Sequence, residues 1–231
     1  MTDTPLSLGR PLPADRFHAG VRLAALLAWL LAIAVVYLVL NVLTSLVIGP
    51  VSGVGVVIIL LVAIILAQPL AWLAEKQLIA RWPSGRAVVL EPGAITWRDQ
   101  GKNERLEMGP RLNFWRWRFA VKRRRGGRVP TGHHCFAIRM VQGDTVVSLY
   151  TFLAPAAATA LSARLPFYEL RRPSEQGKAG PALGGRDAMY LAAEHARWDT
   201  GAELDPADFQ ALLAHLESGI PEFGRSTQSG G

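Results

Sequence analysis

The chain has 231 residues, a net charge of +7 and one cysteine, and half of its residues are hydrophobic. A single cysteine excludes an intramolecular disulfide and a cysteine-rich metal site. The charge is unevenly distributed, because residues 75–172 carry a net charge of +11 whereas residues 173–231 carry −5. The basic character therefore belongs to one part of the chain, and an acidic tail follows it.

The first segment of the chain shows no hydrophobic period. Residues 1–20 contain Pro5, Pro11 and Pro13 together with two glycines. Such a composition is typical of chain that forms neither a helix nor a strand. We therefore expect residues 1–20 to be a flexible lead on the cytoplasmic side.

The next segment is a run of 52 residues, Leu23–Ala74, without Asp, Glu, Lys or Arg. Because about 20 apolar helical residues cross a bilayer core about 30 Å thick, this run can cross twice. Gly and Pro at residues 49–53 predict a reversal between helices over residues 23–48 and 54–74. A signal peptide has a shorter apolar region, of about 7 to 15 residues. The prediction is a transmembrane hairpin over residues 21–76.

Positive charges lie before the first predicted helix and after the second, and the loop that connects the two helices has none. The positive-inside rule therefore predicts a multi-pass protein of the inner (cytoplasmic) membrane with both termini in the cytoplasm. The polar side chains within the run, Asn41 and Gln68, are interpreted as helix–helix or interface contacts. The flanking residues are Arg10, Arg16, Arg22, Lys76, Arg81 and Arg86.

A β domain is predicted over residues 77–172. Short alternating segments separated by Gly, Pro, Asn and Asp are typical of antiparallel strands. Pro155 suits a first helical turn, and Pro166 ends an alanine-rich helix that reaches Leu165. The six predicted strands cover residues 87–90, 94–98, 104–108, 112–122, 136–140 and 145–151.

Two stretches of this domain, Val88–Ile95 (VVLEPGAI) and Ile138–Val147 (IRMVQGDTVV), carry a family resemblance. Over residues 86–166 the chain resembles the bacterial pleckstrin-homology-like (PH-like) domains of small membrane proteins. The resemblance implies an α+β fold, with an antiparallel barrel or sheet and one C-terminal helix. It also implies binding or oligomer formation and no common catalytic residues. A complete domain of that family has seven strands, and six are predicted here.

Basic and aromatic residues are concentrated between residues 111 and 128, and no acidic residue lies between Glu107 and Asp144. Alternation predicts that Trp115, Trp117 and Phe119 share a packed strand face while the arginines between them are solvated. Three interpretations remain open: contact with anionic lipid or an acidic partner, a merely solvated basic loop, and, least favoured, nucleic acid. The candidate binding residues are Arg116, Arg118, Lys122, Arg123, Arg124, Arg125 and Arg128.

No catalytic or cofactor motif is found in the sequence, so we expect a protein that is not an enzyme and has no cofactor. His133 and His134 precede Cys135, but adjacent strand residues point to opposite faces of a sheet. No metal site is therefore predicted.

The tail is predicted to contain a linker over residues 173–185, an acidic helical region over 186–220 and a disordered end over 221–231. In the first helix, Arg186–Trp198, the expected packed stripe is Met189, Ala192, Ala193 and Ala196. The second follows Asp205 and ends at Gly219. Its apolar face either packs within the chain, in a local two-helix unit or on the sheet of its own domain, or is a partner-helix face that docks on another protein. That face consists of Phe209, Leu212, Leu213 and Leu216.

These features together predict a membrane scaffold or accessory subunit that presents its domain for protein–protein interaction, with a protein partner or homo-oligomer. The alternative is a sensor that binds anionic phospholipid through the basic segment. A third possibility is a subunit of an oligomeric transport complex, since two helices without ionisable groups cannot form a selective path alone.

Overall fold

The computed structural model describes residues 8–121, 129–170 and 185–224 of the chain. The chain forms two compact units: one is Arg16–Ser84, and the other combines Met1–Asp15 with Gly85–Gly231. The boundary predicted at residue 172 therefore falls inside a unit, because the tail helices and the strands share one hydrophobic core.

The unit Arg16–Ser84 is a helical hairpin of two long apolar helices, as predicted for this part of the chain. Helix α1 spans Ala19–Val47, helix α2 spans Val54–Arg81, and the two helices pack against each other. Gly49 and Gly53 in the connection have φ angles of 102° and 55°, which glycine adopts at little steric cost. By length and composition, both helices can cross a membrane.

The other unit contains a four-stranded antiparallel sheet with the order β1-β2-β3-β4. Its first strand comes from before the hairpin, so the flexible lead predicted for residues 1–20 is corrected for the residues that form β1. An edge strand accommodates proline because the missing N–H is not needed in the ladder, and Leu12 is buried in the core. The strands are β1 Pro11–Pro13, β2 Arg86–Glu91, β3 Ala94–Asp99 and β4 Lys102–Glu107.

The second sheet has five strands in the order β8-β5-β6-β7-β9. Its three central strands are antiparallel, and each two-residue edge strand pairs parallel to its neighbour. The six predicted strands thus correspond to β2 to β7, whereas β1, β8 and β9 were not predicted. The strands are β5 Asn113–Ala120, β6 His134–Gln142, β7 Thr145–Leu153, β8 Tyr168–Glu169 and β9 Ala202–Glu203.

Three further helices pack in the same unit: α3 Pro155–Arg164, α4 Gly185–Thr200 and α5 Pro206–Gly219. Residues on one face of the five-stranded sheet belong to the main core. This core also includes residues of α3, of α5 and of the four-stranded sheet. On the other face, Trp117 and Ala137 pack with Tyr190 and Ala193 of α4. The five-stranded sheet is therefore covered on both faces.

Candidate functional site

Strand β5 carries the basic and aromatic residues that form the first half of the predicted binding segment. Its interior position between β8 and β6 places one face in the main core and the other beneath α4. The expectation of one packed face and one solvated face is therefore corrected at Arg116, which is only 1% exposed. The sequence pattern missed this burial because the covering groups lie far away in the chain.

Arg116 lies among three phenylalanine rings. Its guanidinium carbon is 5.6 Å from the ring centroid of Phe114, 5.7 Å from that of Phe167 and 4.4 Å from that of Phe223. A cation near ring faces gains an electrostatic attraction that partly replaces hydration. Burial lowers the pKa of Arg116 to about 10, against weaker opposing effects of Tyr190 and Glu217. Arg116 remains a cation at neutral pH, but it is enclosed within the domain.

Arg118 also forms contacts within the domain. Its Nη1 donates a hydrogen bond of 2.7 Å to the hydroxyl of Ser162 in α3. Its Nη2 lies 3.6 Å from a carboxylate oxygen of Glu169 in β8. Because these partners belong to different elements, Arg118 connects α3 and β8 to the sheet, and its side chain is partly buried.

The other predicted binding residues, Lys122 to Arg128, lie outside the described residues. They fall within the connection from β5 to β6, which is closed at its base by a 2.8 Å hydrogen bond from the Val121 N–H to the His133 carbonyl. Arg111 is exposed but precedes the opposite end of β5. At about 3.3 Å per strand residue, the two ends are roughly 25 Å apart. Arg111 and the start of that connection therefore lie at opposite ends of β5.

The face beneath α4 contains a buried polar network. The indole N–H of Trp117 donates a 2.8 Å hydrogen bond to Oε2 of Glu194. Arg197 donates to both oxygens of the same carboxylate, at 2.8 and 2.6 Å. The Arg197 guanidinium also lies 4.4 Å from the ring centroid of Tyr150. Nε and Nη2 of Arg197 thus bind the two oxygens of one carboxylate, a bidentate geometry that gives strong charge-assisted bonds.

Two side chains on this face, Tyr150 and Arg197, have raised pKa values. Burial raises the pKa of Tyr150 to about 12, because the phenolate would lose hydration. Burial alone would lower the pKa of Arg197, but its hydrogen bonds with Glu194 contribute to a net increase. The arrangement therefore keeps Arg197 charged and Tyr150 neutral.

The predicted stripe of α4 is corrected by this packing. The buried residues are Tyr190, Ala193, Glu194 and Arg197, at the helical spacing i, i+3, i+4 and i+7, whereas Met189 and Ala192 are exposed. An apolar-periodicity argument could not select Glu194 and Arg197, because charged residues are expected at the surface. Their i, i+3 spacing with opposite charge was the available signal.

The predicted partner-helix face of α5 also packs internally. Phe209, Leu212, Leu213 and Leu216 are each 0% exposed and belong to the main core. Of the two alternatives left open by the sequence, packing on the chain's own domain is correct. Asp205 occupies the N-cap position as predicted, although its side chain forms no capping hydrogen bond.

The two chain segments that flank the hairpin meet in a cluster that we call the clasp, formed by Asp15, Arg86, Asp99 and Glu203. Arg86 donates hydrogen bonds to Asp99 at 2.9 Å and to Asp15 at 3.0 Å. The second oxygen of Asp15 accepts a 2.8 Å bond from the Glu203 N–H. Hydrogen bonding with Asp99 contributes most to the raised pKa of Arg86. The clasp thus ties β1, β2, β3 and β9 together.

Among the described residues, no group of three or more His, Cys, Asp or Glu side chains is placed to hold a metal ion. Cys135 is buried, and His133 and His134 are half-buried at the start of β6. Comparison of the chain with protein-family models, with curated proteins and with solved structures gave no match.

Proposed function

We propose that the protein is a non-enzymatic membrane scaffold or accessory subunit whose PH-like domain contacts a protein partner in the cytoplasm. The observation that carries this proposal is the insertion of the hairpin between two adjacent paired strands. β1 precedes α1 and β2 follows α2, yet Leu12 pairs with Val88 in one ladder. The domain is therefore joined to the hairpin by two chain connections rather than one.

Both connections are short. Residues 14–18 join β1 to α1, and residues 82–85 join α2 to β2. Chain of that length spans at most roughly 18 Å. A domain attached twice by such connections, with the clasp holding both attachment points, has a restricted range of positions. Restricted position is useful in a subunit that must meet a neighbouring protein in a defined geometry.

The number of strands that precede helix α3 supports the PH-like part of the proposal. β1 supplies a strand that the sequence did not predict, so seven strands, β1 to β7, precede helix α3. Both stretches that carry the resemblance form antiparallel hairpins, β2 with β3 and β6 with β7. The additional α4 and α5, and the short parallel strands β8 and β9, extend this pattern.

The proposal is tested on the full chain in its native membrane. Ten-residue Gly/Ser insertions after Asp15 and after Ser84 would lengthen both connections without changing either unit. We expect mild-detergent purification of the wild type to recover a partner in constant stoichiometry at low and high salt, and the lengthened variant to recover less. Equal recovery with both chains, or no constant partner with the wild type, would contradict the proposal.

The second candidate function is contact with anionic lipid, favoured by the position of Lys122 to Arg128 in one inter-strand connection. Each basic residue near an anionic surface gains about 1 kcal/mol, and salt weakens this attraction. A basic connection on a membrane-attached domain would thus bias the orientation of that domain.

The measurement is protease protection of the full chain reconstituted in vesicles with and without anionic lipid. Replacing Arg123, Arg124 and Arg125 by Gln should abolish the lipid-dependent protection. The matched control replaces the exposed Arg98, Lys102 and Arg105 by Gln and removes the same charge from β3 and β4. If both triple variants behave alike, net charge rather than this connection determines the effect.

A further inference from the structure

Helix α2 has one face that packs on α1 and an opposite face that is exposed. Its buried residues, Ile59, Ala63 and Ala67, recur at every fourth position. Because each helical residue rotates by about 100°, the opposite side of α2 can be listed from the sequence. It consists of Val54, Ile58, Leu61, Ile65, Gln68 and Trp72, which we call the outer seam.

The outer seam has the spacing of a coiled-coil contact line. Its members are separated by alternating steps of four and three residues, the a/d pattern of a coiled-coil seam. All its apolar members are at least 55% exposed. An apolar seam on a membrane helix is compatible with lipid alone, so spacing by itself identifies no partner. The informative member is Gln68.

Gln68 is exposed and lies within the uncharged part of α2, residues 54–74, four residues from residue 64 at the midpoint of that part. It is one of two side chains between residues 54 and 74 that can form hydrogen bonds, the other being Trp72. Hydrocarbon offers the carboxamide no partner, and an unsatisfied amide there is costly. A second polar group lies nearby, because Pro69 has no N–H to donate to the Ile65 carbonyl one turn earlier.

We propose that the outer seam is the contact surface for α2 of a second copy of this chain, with Gln68 of the two copies hydrogen-bonded to each other. Copies of one chain insert with the same topology, so equivalent residues lie at equal depth. A carboxamide has both donor and acceptor groups, and is therefore complementary to itself. A single polar residue in such a seam also fixes the register of the pair. The inference rests on the proposed membrane insertion.

Disulfide crosslinking of the full chain in native membranes tests the seam. In a Cys135→Ala background, Leu61→Cys and Ile65→Cys should form dimers on mild oxidation. The control, Leu66→Cys, is also exposed at 49% but lies about 100° from Ile65 around the helix, and should remain monomeric. Crosslinking of all three sites, or of Leu66→Cys alone, would overturn the proposal, as would no crosslinking at either seam site.

The role of Gln68 is tested by dimer affinity in detergent micelles. Gln68→Leu should weaken association by about 3- to 30-fold, as expected for a hydrogen bond between membrane helices, while Gln68→Asn should retain most of it. Unchanged association of Gln68→Leu would overturn the role of the amide. Resistance of each variant to alkaline extraction is measured in parallel. Extractable wild type would refute membrane insertion, whereas resistant monomers would refute only the dimer.

Discussion

The two faces of the five-stranded sheet each bury one arginine, but they stabilise its charge in different ways. On the core face, three phenylalanine rings surround Arg116, and burial lowers its pKa. On the α4 face, Glu194 accepts two hydrogen bonds from Arg197, and the pKa of Arg197 is raised. The attraction to aromatic rings offsets only part of the hydration free energy that a buried guanidinium loses. Two hydrogen bonds to one carboxylate offset a larger part.

The comparison indicates that disturbing a buried arginine site can cost very different amounts of stability, depending on what surrounds the charge. Removing one member of a buried ion pair leaves an uncompensated charge, which costs more than removing the whole pair. For Arg116, the coulombic effects of Tyr190 and Glu217 are smaller than the effect of burial. Removing this cation therefore removes a desolvation cost together with the attraction to the rings. The carboxylate of the α4 face should therefore be the most sensitive position, and Arg116 should tolerate an apolar replacement better.

The largest effect is expected for Glu194→Leu. This change leaves the Arg197 guanidinium and the Trp117 indole N–H buried without their acceptor, and should cost about 3 to 5 kcal/mol of unfolding free energy. The measurement is denaturant unfolding of the full chain in detergent, with near-UV circular dichroism as the signal that monitors unfolding.

Two variants control the Glu194 experiment. His195→Ala, on the exposed side of the same helix, should change stability by less than about 0.5 kcal/mol. The double variant Glu194→Leu with Arg197→Met removes both charges and should recover most of the loss. A double variant as unstable as Glu194→Leu would mean that the pair is not the source of the cost.

The intermediate effect is expected for Arg116→Met. Methionine fills part of the same volume and removes both the attraction to the rings and the desolvation cost, so the net loss should be about 1 kcal/mol. The same unfolding measurement applies. A loss equal to that of Glu194→Leu would show that the charge of Arg116 is matched as strongly as that of Arg197, and the contrast between the two faces would fail.

The sequence predicted those parts of the fold that depend on local signals. The uncharged run identified the hairpin, and the turns around Gly93 and Gly143 identified two strand pairs because glycine there has positive φ. Helix α5 followed from its apolar spacing. The β1 strand was missed because it has three residues, two of them proline.

The polar interior was missed because its partners are distant in the chain. Trp117 and Glu194 are separated by 77 residues, and the rings around Arg116 include Phe167 and Phe223. Alternation along β5 correctly divides its residues between two faces, but it cannot tell whether a second layer covers the face that carries arginines. The positions of α3, of Phe167 and of residues 220–224 decide that.

The smallest effect, and the one that compares the two faces most directly, is expected at alkaline pH. Burial lowers the pKa of Arg116 to about 10 in the folded chain, below its ordinary value. Above about pH 10 the unfolded chain therefore binds more protons at this residue, so Arg116 makes stability rise with pH. The pKa of Tyr150 is about 12 against 10.0. Between these two pKa values the folded chain binds more protons at Tyr150, so Tyr150 makes stability fall with pH.

The two variants should therefore diverge from the wild type in opposite directions as the pH rises from 9 to 11. Stability relative to the wild type should increase with pH for Tyr150→Phe, because this variant lacks the tyrosine that makes stability fall. It should decrease with pH for Arg116→Met, because this variant lacks the arginine that makes stability rise. Denaturant midpoints at pH 9, 10 and 11 measure both trends, and Arg98→Gln, at an exposed position, should follow the wild type. Parallel curves for the two variants would show that the two faces do not differ in how they hold their charges.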